Sequence, residues 1–127
     1  MINFNKEIMW NLKPVGVSDF CSEVSGLLVQ NEEVIAAFMT AGEQIVFTSK
    51  RIVIIEMQGG PGKRNSFTSL PYSKVQFFTI QSLGFREMHS DSALDIVFNN
   101  GYTVRFEFGG DVDIGRIGRI ISDYVLG

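Results

Sequence analysis

The chain has 127 residues and a mass of 14.2 kDa, which fits one domain able to bury about two-thirds of its open-chain surface without disulfide or metal staples. With 45% hydrophobic and 20% charged residues it is globular rather than disordered, and a formal net charge of −3 argues against a generally basic nucleic-acid binder. One cysteine, Cys21, and one histidine, His89, exclude an intramolecular disulfide framework and a multi-Cys/His zinc site.

Residues 1–17 read as an arm of mixed pattern, closed off by Pro14 and Gly16. Phe4, Ile8 and Leu12 would align on a helix; Ile8, Trp10 and Leu12 would align on a strand. Both readings stay open. The arm lacks the continuous apolar region and cleavage site of a signal peptide. No apolar run in the chain approaches the ~18 residues of a membrane span. A soluble, cytoplasmic protein is expected, and a lone Cys21 suits a reducing compartment.

The remaining residues, 18–127, form the predicted domain. Ser18 is placed as the N-cap of a helix over about 18–29, with Phe20, Val24, Leu27 and Leu28 on one side. From Val34 the texture turns to β, with strands expected over about 34–40, 44–49, 51–58, 64–70, 75–82, 93–99 and 102–108. Asn99-Asn100-Gly101 predicts a hairpin with a type I′ turn, because Asn-Gly tolerates positive φ. Leu94, Ile96 and Phe98 alternate on one strand, and Tyr102, Val104, Phe106 and Phe108 on the next. After Gly109-Gly110 the period changes. Asp111 or Asp113 can cap a helix to about Leu126, with Ile114, Ile117, Ile121, Tyr124 and Val125 as its apolar stripe. Gly115 and Gly118 each cost this helix roughly 1 kcal/mol relative to Ala, which predicts close approach to a strand. The fold class is mainly β: a barrel or sandwich of about seven antiparallel strands plugged by a C-terminal amphipathic helix.

Three ordered motifs resemble the bacterial pleckstrin-homology-like (PH-like) domains. They are Ile45-Val46-Phe47-Thr48-Ser49-Lys50-Arg51-Ile52-Val53-Ile54-Ile55, Gln58-Gly59-Gly60-Pro61-Gly62-Lys63-Arg64, and Ser69-Leu70-Pro71-Tyr72-Ser73-Lys74-Val75. Gly42-Glu43, Ser49, Pro61 and the stretch 85–93 depart from the family pattern. The resemblance implies a PH-like fold over about residues 18–127, no established enzymatic activity, and a tendency to assemble into symmetric rings. It also marks Pro71 and Tyr72 as motif residues, with a structural role.

No catalytic constellation, metal site or cofactor site is expected. A Cys21–His89 dyad would need a proximity that sequence does not supply, and turn and cap roles account for Asp91, Asp95, Asp111 and Asp113. Gly59-Gly60-Pro61-Gly62 lacks the Lys-Ser/Thr ending of a phosphate loop. Charge is segregated: residues 50–86 hold six basic residues against one acid, +5, and the remainder five against thirteen, −8. Lys50, Arg51, Lys63 and Arg64 are therefore the candidate contacts for an anionic partner. The loop 40–44 carries no base, which argues against inherited phosphoinositide binding.

The strand after Arg51 is apolar on both faces, with Ile52 and Ile54 on one and Val53 and Ile55 on the other. A half-buried strand needs one apolar face, so the second must be covered by the chain's own helices and arm or by another subunit. Val53, Ile55 and Phe78 are the candidate oligomer-interface residues. The expected function is a non-catalytic, self-assembling module that binds a protein partner, with an anionic lipid head group or small anion as the competing ligand. Membrane anchoring through the arm's short apolar patch would be weak.

Overall fold

A computed structural model describes residues 6–16, 22–57, 64–81, 92–109 and 112–127. The elements in chain order are β1 (Lys6–Val15), α1 (Ser22–Ser25), β2 (Val34–Met39), β3 (Glu43–Thr48), β4 (Arg51–Glu56), β5 (Ser66–Pro71), a 3-10 turn (Tyr72–Lys74), β6 (Val75–Gln81), β7 (Ser92–Phe98), β8 (Thr103–Phe108) and α2 (Ile114–Leu126). All seven expected strands are present, with ends shifted by one or two residues.

The β7–β8 hairpin shows how pattern becomes structure. Leu94, Ile96, Val104 and Phe106 have no exposed surface, while Asp95, Arg105 and Glu107 between them are half-buried on the other face. The turn corrects the expected type. Phe98 O accepts from Gly101 N at 2.9 Å, and Phe98 N donates to Tyr102 O at 2.8 Å. Gly101 has φ +88, whereas Asn31 is the one described non-glycine residue with positive φ. A three-residue loop of type I followed by a left-handed glycine fits this, since a type I′ turn would need positive φ at two central residues.

An eighth strand resolves the ambiguity of the arm. β1 runs antiparallel to β2 through Lys13–Val15 and parallel to β8 through Lys6–Leu12. The register slips between Met9 and Leu12. Met9 and Leu12 are both buried, so burial changes from odd to even positions at the irregularity. That phase change is why neither a helical nor a strand period fits the whole arm.

The resulting sheet has the order β5-β4-β3-β2-β1-β8-β7-β6. β1 joins two antiparallel halves, β2–β5 and β6–β8. The sheet is not a closed barrel: β5 and β6 are its two ends, and the 3-10 turn connects them in the chain. α2 packs on that turn and on β6 and β7. Asp113 caps it by accepting from Arg116 N at 3.1 Å. Ile114, Ile117 and Ile121 are buried, Val125 is half-buried and Tyr124 is exposed. A Cβ on Gly118 would lie 2.5 Å from Ile80 Cδ1, which is the close approach expected. Gly115 shows none: its nearest neighbours would be Asp113 Oδ1 at 3.6 Å and Arg119 Nη1 at 4.0 Å.

Two apolar clusters hold the fold. The main one lies inside the curved sheet, where Phe38, Phe47, Phe106 and Phe108 pack with ring centroids 4.8 to 6.4 Å apart. Ile52 and Ile54 belong to it. The second lies on the outer face of β2–β5. There Ala37, Val46, Val53 and Ile55 are buried under Val24, with Leu28, Met57 and Phe67 at the margin. The expected helix over 18–29 appears as the four residues of α1 followed by a turn, and this short segment supplies the cover. Ser18 and Phe20 lie outside the described residues.

Candidate binding surfaces

Of the basic residues singled out from the sequence, the described ones, Lys50, Arg51 and Arg64, do not converge on one site. Arg51 begins β4 and is committed to Glu32. Its Nε and Nη2 each donate to a Glu32 carboxylate oxygen at 2.9 Å, Nη1 donates to Ser69 Oγ at 3.1 Å, and Nη2 also donates to Leu27 O. The Glu32 side chain has no exposed surface, and that of Arg51 is 19% exposed. Thr48 Oγ1 adds a hydrogen bond to Glu32 at 2.6 Å, and Val29 N another at 3.0 Å. Burial alone would push the Glu32 carboxyl up; the bonds from Arg51, Thr48 and Val29 and the Arg51 charge outweigh it and hold the carboxyl below its ordinary value. The positive φ of Asn31, +66, stands in the turn that delivers Glu32 to this position. Thus Arg51 clamps the 27–32 segment to the sheet.

Lys50 sits beside the 3-10 turn, its carbonyl accepting from Tyr72 N at 3.0 Å. Tyr72 is buried, and its hydroxyl donates to Thr48 O at 2.8 Å. Its pKa is raised by burial and by the Glu32 charge. Arg64 is exposed at the opposite end of β5. The pairing Arg51↔Pro71 to Glu56↔Ser66 spans six residues, so Lys50 and Arg64 stand about 17 Å or more apart. Lys63, Cys21 and His89 lie outside the described residues. Among the described residues, no group of three or more His, Cys, Asp or Glu side chains comes together as a metal site.

The three candidate interface residues divide differently. Val53 and Ile55 have no exposed surface within the single chain. Burying each such side chain is worth roughly 1.5–3 kcal/mol, and this chain realises that gain by itself. Phe78 is half-buried and packs on the main cluster, under α2. Its neighbour Phe77 is 54% exposed on the outer face of β6, opposite Val97. Adjacent strand positions face opposite ways, so Phe78 points inward while Phe77 points outward on a terminal strand, a placement that depends on strand order.

Two clefts open on the surface. One, of about 650 Å³, lies beside the β1 irregularity and the β2–β3 turn, with Ile8, Met39, Lys13 and Glu43 around it. The other, of about 400 Å³, lies where the sheet fails to close between β5 and β6. Ser69, Lys74, Asn99 and Asn100 rim it, and Phe98 and Tyr102, with centroids 5.8 Å apart, form part of its wall.

The motif residues now have places in this geometry. Lys50-Arg51 open β4, and Pro71-Tyr72 turn the chain from β5 to β6 under α2. The bacterial PH domain family matches residues 3–125. The chain belongs to the bacterial PH domain family. Within it, the chain is 26% identical over 121 residues to YjqA of Bacillus subtilis (strain 168), an uncharacterized protein, covering 95% of this chain and 97% of that one. YozO of the same organism, also uncharacterized, is 25% identical over 111 residues, covering 87% and 94%. Among solved structures, a PH domain from Shewanella amazonensis SB2B is 30% identical with a TM-score of 0.61, covering 89% of this chain and 90% of that one. A DUF1696 family protein with a PH domain from Shewanella loihica PV-4 is 24% identical and shares the fold at a TM-score of 0.69, covering 90% and 97%. The family match includes the whole of β1, the strand that joins the two halves of the sheet.

Proposed function

We propose that this PH-like chain is a non-catalytic cytoplasmic binding module that self-associates and takes a protein partner by strand addition at β6. The observation that carries the reading is the character of that edge. β6, Val75–Gln81, ends the sheet and contains no charged residue and no proline. Phe77 is 54% exposed on it and Ile80 37%. Edge strands are ordinarily blunted by charge, proline or cover, because their unpaired N–H and C=O groups template pairing with another chain. An edge strand without charge or proline, carrying an exposed phenylalanine, suits a copy of the chain or an extended peptide. The segregated charge would add orientation more than affinity.

The anionic-lipid reading has less support, because Arg51 is committed to Glu32 and Arg64 stands at the far end of β5. Sedimentation with anionic vesicles at low salt, where electrostatic attraction is strongest, tests it separately.

Light scattering should give a solution mass well above the 14.2 kDa of one chain. Phe77→Lys places a charge on the edge and should lower the mass while the circular dichroism spectrum is kept. A monomer at millimolar concentration, or assembly indifferent to this substitution, overturns the reading.

A further inference from the structure

We infer that the cleft between the sheet's two ends is a binding site for a small organic carboxylate with an apolar body. The inference goes beyond the strand-addition reading and does not depend on it.

The rim is rich in donors, with the Asn99 side chain able to present either end of its amide. Asn100 Oδ1 already accepts from Tyr102 N at 3.0 Å. What its side chain offers a ligand is therefore the two hydrogens of its amide nitrogen. Ser69 lines the cleft too, but its hydroxyl is engaged by Arg51 Nη1 at 3.1 Å and is not counted among the donors to a ligand. Lys74, exposed at the end of the 3-10 turn, brings an ammonium group that can only donate. Among the described residues no carboxylate lines the cleft. Two donor groups, one of them cationic, facing a space without a described acid call for an acceptor-rich, negatively charged group.

The rest of the wall is apolar. Leu70 is half-buried, and Phe98 and Tyr102 are packed together with only narrow exposure. The volume of about 400 Å³ lies within the ~300–1,000 Å³ typical of small-molecule sites. A ring or branched aliphatic body on the aromatic wall, with its carboxylate toward Lys74 and Asn100, satisfies both halves.

The walls are preformed. Asn99 N donates to Lys74 O at 2.8 Å, tying the β7–β8 turn to the 3-10 turn across the opening. Tyr72 N donates to Lys50 O, anchoring the same turn to β4. The cleft thus needs no ordering when a ligand enters, which removes a common cost of binding.

The test is a titration of the 15N-labelled chain with phenylacetate, and in parallel with its neutral isostere phenylacetamide, followed by amide chemical shifts. A probe of this size binds in the millimolar range. Phenylacetate should give saturable shifts centred on residues 69–74 and 98–102. It should bind about fivefold or more tightly than the amide, the size expected of a partly exposed ion pair. Lys74→Gln should erase the difference between acid and amide, and Lys74→Arg should restore it, with unperturbed spectra elsewhere reporting an intact fold. Equal binding of acid and amide to the wild-type chain overturns the inference. So does unchanged binding to Lys74→Gln, or saturable shifts confined to other residues, or none. Monomeric chains serve as well as assembled ones, so a failure here leaves the β6 reading standing, and the reverse holds.

Discussion

Arg51 and Glu32 meet in a two-pronged ion pair, with both N–O distances at 2.9 Å and the Glu32 side chain entirely buried. The pair ties the turn before β2 to the first residue of β4. It thereby holds Val24 and Leu28 over the outer apolar face of the sheet. Glu32→Gln leaves Arg51 without its counter-charge and should cost about 2–3 kcal/mol, somewhat under the loss for a fully buried partner because Arg51 is partly solvated. Urea unfolding of the variant against the parent measures it.

The same pair gives stability a pH dependence. The folded Glu32 carboxyl lies below its ordinary value near 4.5. The unfolded chain therefore takes up a proton first as the solution is acidified. The contribution is complete above that ordinary value and is lost as pH falls through the lower folded one. Thermal melts should show the gap between wild type and Glu32→Gln constant near neutrality and narrowing below about pH 4.5.

Ile55 distinguishes an intrachain core residue from an interface one. It is fully buried beneath the chain's own residues. Ile55→Ala should cost about 2–5 kcal/mol by cavity formation, and Ile55→Asp should unfold the chain because it buries a charge without a partner. Loss of the circular dichroism signal at any protein concentration is the expected result. A folded, dissociated Ile55→Asp monomer would show that the side chain is an intersubunit contact instead.

Tyr72 donates to Thr48 O in a buried setting. Tyr72→Phe keeps the ring against Tyr124, 6.0 Å away between centroids, but leaves that carbonyl one donor short. A loss of about 1–2 kcal/mol in denaturant midpoint stability is expected.

The two helix glycines should respond differently. Gly115→Ala meets only ordinary contacts and should stabilise the chain by about 0.5–1 kcal/mol through helix propensity. Gly118→Ala gains the same propensity but must move the Ile80 terminal methyl group, which an exposed side chain can do. It should fall within about 1 kcal/mol of neutral, and Gly118→Leu should be clearly destabilising. Differential scanning of the three variants gives the order.

The chain's local patterns were enough to determine seven strands, the β7–β8 hairpin faces, the C-terminal helix with a cap at Asp111 or Asp113 and, through three motifs, the PH-like family. Each depends on neighbours within a few residues, where period 2 and period 3.6 leave direct traces. Strand order leaves none. That β1 stitches two half-sheets together, that β5 and β6 are its ends, and that Phe77 is exposed on a terminal strand depend on pairings between distant segments. Burial of Val53 and Ile55 belongs to the same class: their sequence called for a cover, and only the tertiary structure showed α1 and the Arg51–Glu32 clamp supplying it. The basic run from Lys50 onward separated for the reason that joined the cleft residues. A strand of six residues carries its ends about 17 Å apart, while the turn at Tyr72 and the hairpin at Asn100 bring Ser69, Lys74 and Asn100 around one space.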